Sequence, residues 1–476
     1  MRVLKKQLLI NGEWLEAKSY YRLYSPYTQE FIAEIPLASR EETELAIESA
    51  NQVREKMARL PAHKRSSILE KLVELLERRA DEAAQIIALE ASKPISLAEG
   101  EVARTIATFK IAAEEAKRIH GETIPLDAAP GGEKRIAFTT REPIGVIAAI
   151  TPFNFPMNLV AHKVGPAIAA GNTIVLKPAE QTPLSSLFIA ELLQEAGLPA
   201  GALNVVTGEG RVVGDMLVTD SRVSMITFTG SPEVGIGIRN KAGLKKVTLE
   251  LGSNAAVIID KGVDVDKIIG RCVMGAFSNQ GQVCISLQRV YVHENLYEKF
   301  VESFVEETKK LKLGDPLDST TDVSALISPK DVQRTLNWIE EARESGAKIA
   351  IGGKADGNIV YPTVILDADS SLKVSCQEVF APIVSINKIK SVEEAIDLVN
   401  NSQFGLQAGI YTENISIALD AAEKLHMGCV LINDIPTFRV DHMPYGGVKK
   451  SGAGREGIKY AIEEMTEMKL IIFNRN

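Results

Sequence analysis

The sequence predicts an α/β protein that contains two α/β domains. Nearly continuous apolar runs, rich in β-branched residues, alternate with stretches of helical spacing, and this alternation begins a second time after Gly252. Strands of this kind are typical of parallel sheets that helices cover on both faces. With 476 residues, 45% of them hydrophobic, the chain is long enough for at least two hydrophobic cores.

The first α/β domain is predicted to bind a nucleotide. Helical spacing covers residues 41–59, 64–91 and 97–118, so the first quarter of the chain is expected to be mostly helical. Four apolar runs follow, each leading into a loop and a helical stretch: 144–150, 173–176, 203–206 and 225–228. Ligands of doubly wound sheets bind beyond the carboxyl ends of the strands. The loops expected to meet there are 152–155, 177–180, 208–210 and 229–231.

The second α/β domain is predicted from the same alternation. Its strands are expected near 255–259, 287–293, 348–351, 383–388 and 429–432, and its helices near 265–279, 295–311, 329–345, 392–400 and 414–425. Residues 133–141 alternate charged and apolar side chains, and 468–473 form an apolar strand. Exposed strand edges invite pairing, so we expect these two segments to mediate oligomerisation.

Composition and charge narrow the classes of function that the protein can have. The net charge of −8 argues against a nucleic-acid partner. No apolar run reaches the roughly 18 residues that a membrane span requires, and no signal-like core follows the first residues, so we expect a cytoplasmic protein. The four cysteines and six histidines show no paired spacing, which predicts neither a disulfide framework nor a metal site.

Cys284 and Glu250 are the residues most indicative of chemistry. Cys284 lies in the run Asn279-Gln280-Gly281-Gln282-Val283-Cys284, and Glu250 lies in Leu249-Glu250-Leu251-Gly252. A thiolate attacks carbonyl carbons and a carboxylate can activate water. A cysteine hydrolase is the alternative, but it normally needs a partner histidine, and no histidine lies in a motif facing Cys284.

Seven motifs follow one another in a characteristic order: Asn11-Gly12-Glu13-Trp14, Thr151-Pro152-Phe153-Asn154-Phe155-Pro156, Leu249-Glu250-Leu251-Gly252, Gly281-Gln282-Val283-Cys284, Glu378-Val379-Phe380-Ala381-Pro382, Pro444-Tyr445-Gly446-Gly447-Val448-Lys449 and Ser451-Gly452-Ala453-Gly454-Arg455-Glu456. With them the chain resembles the NAD(P)-dependent aldehyde dehydrogenase superfamily over nearly its whole length. The resemblance implies a Rossmann-type cofactor domain, an α/β catalytic domain and a small β oligomerisation flap.

The resemblance also implies domain boundaries. The cofactor domain would comprise residues 1–125 and 142–251, with 433–460 returning to it, and the catalytic domain would comprise 252–432. Residues 126–141 and 461–476 would form the oligomerisation segments of a homo-oligomer, either a dimer or a tetramer.

The same resemblance assigns catalytic roles. Cys284 would add to the aldehyde carbon, and the amide of Asn154 with the Cys284 backbone N–H would stabilise the resulting oxyanion. Glu250 would activate the water that hydrolyses the thioester, and its presence argues against transfer of the acyl group to coenzyme A. Lys163 and Glu456 match positions that relay protons, with a structural ion pair as the alternative.

NAD is the expected cofactor, with NADP as the alternative. Glu180 and Lys177 match the adenosine-ribose ligands, and a carboxylate at Glu180 should repel a 2′-phosphate. Ser231 opens a helix whose positive end would meet the pyrophosphate. The full set matched to cofactor positions is Thr151, Pro152, Phe153, Lys177, Glu180, Gly210, Gly214, Phe228, Gly230, Ser231, Leu251, Glu378 and Phe380.

The substrate is expected to be a small polar or anionic aldehyde that is oxidised to its acid. Residues 286–289 and 433–444 resemble the branch of lactaldehyde, phosphonoacetaldehyde and sulfolactaldehyde dehydrogenases. Arg104, His162 and Arg289, and with less support Arg439, match positions that bind an anionic tail. Ordinary ion pairs are the alternative for these residues.

Three other functions stay open. One is a non-phosphorylating glyceraldehyde-3-phosphate dehydrogenase, although Val283 stands where those enzymes commonly carry arginine. Another is a succinate-semialdehyde-type dehydrogenase. The third is a catalytically silent protein on the same fold.

Overall fold

The first domain is built on an eight-stranded sheet. The computed structural model describes residues 4–475. The strands lie side by side in the order Glu13–Leu15, Leu8–Ile10, Leu203–Val205, Thr173–Lys177, Val146–Ile150, Val223–Thr229, Lys246–Glu250 and Gly452–Ala453. The five central strands, from Leu203–Val205 to Lys246–Glu250, are parallel, which confirms the predicted fold class. A separate hairpin pairs Ser19–Tyr24 with Phe31–Leu37.

Helices cover both faces of this sheet. They are Arg40–Ala58, Ala62–Arg78, Ala80–Ala91, Ile95–Glu115, Asn158–Ala170, Pro183–Glu195, Asp215–Thr219, Pro232–Lys241 and Ile458–Glu464. The predicted helical stretch 64–91 forms two helices, because Arg79 leaves helical geometry with φ −114° and ψ 26°. Every residue of Asn158–Ala170 is buried, and this helix packs against Ile95–Glu115 and Ile458–Glu464.

The second domain is built on a seven-stranded sheet. Its strands lie in the order Lys348–Ile351, Thr363–Leu366, Ile383–Ile389, Arg289–His293, Ala256–Ile259, Gln407–Tyr411 and Cys429–Ile432. All neighbouring strands are parallel except the first pair. The larger helices are Val265–Phe277, Glu294–Thr308, Pro329–Glu344, Val392–Asn400 and Ile415–Lys424, with the single turn Lys373–Cys376.

A three-stranded arm projects from the first domain. Thr466–Asn474 pairs along its whole length with Arg135–Pro143, and Thr123–Ile124 completes the sheet. Of the predicted segment 461–476, residues 461–464 belong to the preceding helix, and Ile462 and Met465 lie in the hydrophobic core of the first domain. The arm strand therefore begins at Thr466.

The last part of the chain returns to the first domain. After Cys429–Ile432 it crosses between the domains, and Gly452–Ala453 pairs antiparallel with the end of Lys246–Glu250. An isolated bridge joins Tyr445 to Glu456. This return brings the charged side chains of Arg439, Arg455 and Glu456 close to Glu250.

Among residues 4–475, no helix combines the length and apolarity needed to cross a membrane. Within the same residues, no group of three or more His, Cys, Asp and Glu side chains is arranged to hold a metal ion.

Candidate active site

A cleft of about 1850 Å³ lies at the carboxyl ends of the parallel strands in the first domain. All four predicted loops contribute to its wall, through Phe153, Lys177, Gly210 and Ser231 among others. It extends to the second domain, where Cys284 lines its inner end. The four predicted loops therefore meet at one cleft.

Strained backbone presents Cys284 to the cleft. Asn279, Gln280 and Gly281 have successive φ values of 50°, 56° and 67°, all in the left-handed region. Such conformations cost about 1–3 kcal/mol for a non-glycine residue and persist only where the surroundings hold them. Glycine is required at Gly281, because a Cβ there would lie 2.2 Å from the carbonyl oxygen of Ala381.

Asn154 is held beside the Cys284 loop by a buried ion pair. Its Nδ2 donates to the carbonyl of Gln282 at 2.9 Å, which leaves the second N–H of the amide for another acceptor. Lys93 donates to the carbonyl of Asn154 at 2.8 Å and forms a short, fully buried ion pair with Glu101. Lys93 and Glu101 could not be identified from the sequence, because only tertiary packing brings them to Asn154.

The Cys284 thiol contacts one hydroxyl. Its Sγ lies 2.9 Å from the Oη of Tyr445. Burial raises the pKa of Cys284 to about 11; the hydrogen bond from Tyr445 and the charge of Arg439 oppose this rise, whereas Glu378 and Glu250 add to it. The thiol is therefore mostly neutral near pH 7, and the Tyr445 hydroxyl favours its ionised form.

Glu250 is buried without a hydrogen-bond partner. Its side chain is 3% exposed, and within the described part of the chain neither carboxylate oxygen has a partner. Burial raises the pKa of Glu250 well above its usual value, and repulsion by Glu456 adds to this, while Arg439 and Lys163 oppose it. A carboxylate with a raised pKa is a stronger base once it is ionised.

A buried charge cluster lies behind Glu250. Lys163 Nζ is 3.0 Å from Glu456 Oε1 and 3.1 Å from the hydroxyl of Thr227, and Arg439 Nη2 is 3.0 Å from Glu456 Oε2. Burial opposes ionisation of Glu456, but Lys163 and then Arg439 outweigh it and hold the pKa of Glu456 below its usual value. The cluster contains the structural ion pair considered from the sequence; a proton relay stays a prediction.

Asp441 organises the predicted basic residues. It accepts from Arg104 at 2.7 Å and 3.1 Å, from Asn158 at 3.1 Å, and lies 2.8 Å from His162 Nε2. Burial and then the charge of Arg439 lower the pKa of His162, against the hydrogen bond to Asp441. Arg104 lines the cleft, but His162 does not. The Nε2 of His162 contacts Asp441 and lies 3.3 Å from Arg439 Nη2, and binding of substrate by His162 stays a prediction.

Arg289, like His162, does not line the cleft. Its guanidinium donates to the carbonyls of Asn254 and Leu398 and to the hydroxyl of Tyr291, and it lines a separate cavity. Binding of substrate by Arg289 stays a prediction.

The predicted cofactor residues gather along the outer part of the cleft. Those that line it are Thr151, Pro152, Phe153, Lys177, Gly210, Gly214, Phe228, Gly230, Ser231, Leu251, Glu378 and Phe380. Glu180 lies just outside this lining, exposed, with Oε1 3.3 Å from the Gly210 N–H. Ser231 caps helix Pro232–Lys241, whose N-terminus carries a partial positive charge suited to a pyrophosphate.

One ring contact across the cleft joins the two domains, and Glu378 is fixed within the second domain. The rings of Phe153 and Phe380 meet edge to face at 5.7 Å. Glu378 accepts from the Ser253 N–H at 3.0 Å, and it fits there because a Cβ at Gly252 would lie 2.3 Å from its Oε2. Burial raises the pKa of Glu378 to about 7, against the Ser253 hydrogen bond. The residues present fit a dinucleotide.

Comparison with known proteins identifies the family. The profile of the aldehyde dehydrogenase family matches residues 14–471. The chain belongs to this family. It is 49% identical to a 3-sulfolactaldehyde dehydrogenase from Priestia aryabhattai, over 98% of both chains. It is 43% identical to a lactaldehyde dehydrogenase from Methanococcus aeolicus, over 98% of this chain and 100% of that protein.

A solved structure extends the comparison. The glyceraldehyde-3-phosphate dehydrogenase GapN from Methanocaldococcus jannaschii, complexed with NADP, superposes with a TM-score of 0.93 at 43% identity, over 96% of this chain and 100% of that one. This chain is therefore an NAD(P)-dependent aldehyde dehydrogenase, an oxidoreductase that acts on small aldehydes.

The pKa of Cys284 leads to a prediction for this aldehyde dehydrogenase. Alkylation of Cys284 by iodoacetamide should accelerate about tenfold per pH unit between roughly pH 7 and 9, because the thiolate fraction rises with pH below the pKa. Tyr445→Phe should slow the reaction at each of these pH values, since it removes the hydrogen bond that favours the thiolate. Peptide mass spectrometry separates Cys284 from the other cysteines.

Tyr460→Phe is the matched control, because Tyr460 does not line the cleft. A pH-independent rate, or equal rates in wild type and Tyr445→Phe, would contradict this account of the thiol.

Proposed function

We propose that the enzyme oxidises a small polar or anionic aldehyde to its carboxylic acid through a thioester on Cys284. The observation that carries the proposal is one cleft in which Cys284, Asn154 and Glu250 share the inner end with two arginines, Arg104 and Arg439.

Capture of the aldehyde is the first step. The thiolate of Cys284 adds to the carbonyl carbon and forms a thiohemiacetal, whose oxygen carries the developing negative charge. The N–H of Asn154 that is not bonded to Gln282 can donate to that oxygen, together with the backbone N–H of Cys284. The Lys93 contact fixes the Asn154 backbone, so this donor is in place before the charge appears.

The cofactor is held by residues of both domains. Ser231 and the helix N-terminus behind it suit the pyrophosphate, while Glu378 suits the nicotinamide ribose and Phe380 the adjoining ring. A bound nicotinamide supplies a hydride acceptor, which is the redox chemistry that protein side chains lack.

Release of the acid falls to Glu250. Its ionised carboxylate takes a proton from the water that attacks the thioester carbon, and the Cys284 sulfur is the leaving group. Lys163 and Glu456 lie behind Glu250 and provide groups through which that proton can be passed on. The raised pKa of Glu250 makes hydrolysis sensitive to pH.

Arg104 and Arg439 are the proposed anchors for an anionic tail. Arg104 is about one-third exposed, and its Cζ lies 5.7 Å from the ring centre of Phe155. Phe155 and Cys284 pack against the same apolar cluster, so Arg104 is near the reacting end. Arg439 has a buried Nε without a partner among the described residues, and its Cζ stacks 3.7 Å from the Tyr445 ring.

The relatives support this substrate class. Sulfolactaldehyde carries a sulfonate, which a guanidinium can bind through two hydrogen bonds, and lactaldehyde carries a hydroxyl. Phosphorylated glyceraldehyde is the second candidate because GapN is 43% identical, although Val283 supplies no charge beside the nucleophile.

NAD is the proposed preferred cofactor. The Glu180 carboxylate, directed at the Gly210 N–H, stands where a 2′-phosphate would meet negative charge. Lys177 and Arg211 line the same end of the cleft, and their positive charges would attract a 2′-phosphate. The preference is therefore expected to be moderate, and NADP should be accepted less efficiently.

A panel of aldehydes tests the substrate and cofactor proposals together. Values of kcat/KM are measured with both cofactors for sulfolactaldehyde, lactaldehyde, glyceraldehyde 3-phosphate and succinate semialdehyde. Arg104→Gln should lower kcat/KM about 10- to 100-fold for anionic aldehydes, since it removes a charged hydrogen bond, and should change lactaldehyde oxidation little.

Arg79→Gln is the matched control, because it removes the same charge from a surface ion pair with Glu82 and Glu191. Equal losses for charged and neutral aldehydes in Arg104→Gln would exclude Arg104 as an anchor. A higher kcat/KM with NADP than with NAD in the wild type would refute the cofactor preference.

Assembly into a homo-oligomer is proposed through the arm. Met468, Leu470 and Ile472 alternate along one strand, so they lie on one face of the arm sheet, and each is about half exposed. A row of exposed apolar side chains on a projecting sheet is typical of an interface.

A cytoplasmic location also stays a proposal, which fractionation of expressing cells would check.

Light scattering after gel filtration tests the arm. The wild type should elute at a multiple of the 51.7 kDa chain mass, and Leu470→Asp should shift it to smaller species. Leu244→Asp is the control, because Leu244 is fully exposed outside the arm. A monomeric wild type, or an unchanged mass for Leu470→Asp, would contradict the proposed interface.

A further inference from the structure

A second, smaller cavity lies in the second domain, beside the segment that carries Glu378. It has a volume of about 180 Å³ and is lined by Asn254, Arg289, Ser375, Ser402 and Gln403 among others. Arg289 is the one charged residue among the described residues that line it. Gln403 also lines the main cleft, so the two spaces share a wall.

Arg289 is buried beside this cavity, and its Nη2 has no acceptor among the described residues. The residue is 5% exposed, its Nε donates to the Asn254 carbonyl at 2.8 Å, and its Nη1 donates to Tyr291 and Leu398. No residue among 4–475 accepts from its Nη2, and no carboxylate pairs with it. A buried guanidinium without a counter-charge is costly, which favours an anionic ligand.

Ser375 supplies a second unused donor. The residue is 4% exposed, it lines the cavity, and its hydroxyl has no partner among the described residues. Lys449 adds positive potential nearby, since its charge and that of Arg289 repel each other. A cavity with a free guanidinium N–H, a free hydroxyl and no acidic lining residue suits a small oxyanion.

We propose that this cavity binds a small oxyanion of the phosphate or sulfate type, held by Arg289 and Ser375, and that its occupation tightens binding of the dinucleotide. Neither residue belongs to the substrate end of the main cleft, so the site is separate from the Arg104 and Arg439 anchors.

The coupling runs through Asn254. Its Nδ2 donates to the Ser375 carbonyl at 2.9 Å, and its own carbonyl accepts from Arg289. The neighbouring residue, Ser253, donates its N–H to Glu378 at 3.0 Å. An anion bridging Arg289 and Ser375 therefore restrains both segments that position Glu378. This coupling rests on the proposed role of Glu378 in holding the nicotinamide ribose.

Calorimetry with inorganic phosphate tests the site on the full-length enzyme saturated with NAD. Phosphate should bind the wild type, and Arg289→Gln should weaken that binding about tenfold or more, since a charged hydrogen bond is lost. Ser375→Ala removes only an unpartnered hydroxyl, so it should weaken phosphate binding without changing Tm. Arg104→Gln should leave this binding in place. Equal phosphate affinity in wild type, Arg289→Gln and Ser375→Ala, or no binding to the wild type, would overturn the site.

The effect on NAD is measured separately by NAD titration with phosphate or with chloride at the same ionic strength. Phosphate should tighten NAD binding at least about twofold in the wild type and not in Arg289→Gln, because coupling between sites is reciprocal. Weaker NAD binding in phosphate would indicate competition in the main cleft and would overturn the coupling. Glu378→Gln distinguishes the two proposals: unchanged NAD affinity in that variant contradicts the role of Glu378, whatever the phosphate result at Arg289.

Discussion

The buried charge cluster of Lys163, Glu456 and Arg439 is the constraint on which the inner end of the cleft depends. Three ionised groups in a dry environment are tolerated only where each is paired, and removing one partner from such a set is strongly destabilising. The cluster joins helix Asn158–Ala170 to the returning end of the chain. Glu250 lies against it without a hydrogen bond of its own; burial and then repulsion by Glu456 raise the pKa of Glu250, and Arg439 and Lys163 oppose this rise.

A second buried ion pair constrains the other side of the site, where Asn154 lies. Lys93 and Glu101 are fully buried, and through them the Asn154 loop is fixed to the helix Ile95–Glu115. The Cys284 loop then meets Asn154 through the Gln282 carbonyl. Cys284 from the second domain, the proposed nucleophile, and Asn154 from the first, the proposed oxyanion donor, are thus brought together by buried polar contacts rather than by a continuous sheet.

The residues proposed for catalysis could be picked out from the sequence because they lie in local motifs. Cys284, Glu250 and Asn154 each stand in a short run whose neighbours mark it, and the structure brings all three to one cleft. The central parallel strands were also predictable, since buried strands are nearly continuous in apolar residues. Strands Thr363–Leu366 and Gln407–Tyr411 were not predicted, and Gly409 interrupts the apolar run of the second.

Partners of long charged side chains could not be predicted in the same way. Arg289 and His162 lie in the expected motifs, yet their directions depend on Asn254 and Asp441, which are distant in sequence. Asp441 illustrates the point: it contacts Arg104 from 337 positions away, and no spacing rule connects the two. Chemistry that depends on a local motif is therefore more predictable than specificity that depends on tertiary contacts.

Glu250→Gln separates the proposed roles of Cys284 and Glu250. Rapid mixing with aldehyde and NAD, followed by acid quenching and peptide mass spectrometry, measures NADH and the modification of Cys284 together. In Glu250→Gln we expect about one NADH per active site. Turnover should then stall, with the acyl group on the Cys284 peptide. Glu340→Gln, on the surface, should turn over normally. Undiminished steady turnover in Glu250→Gln, or an acyl group found anywhere but Cys284, would contradict the account.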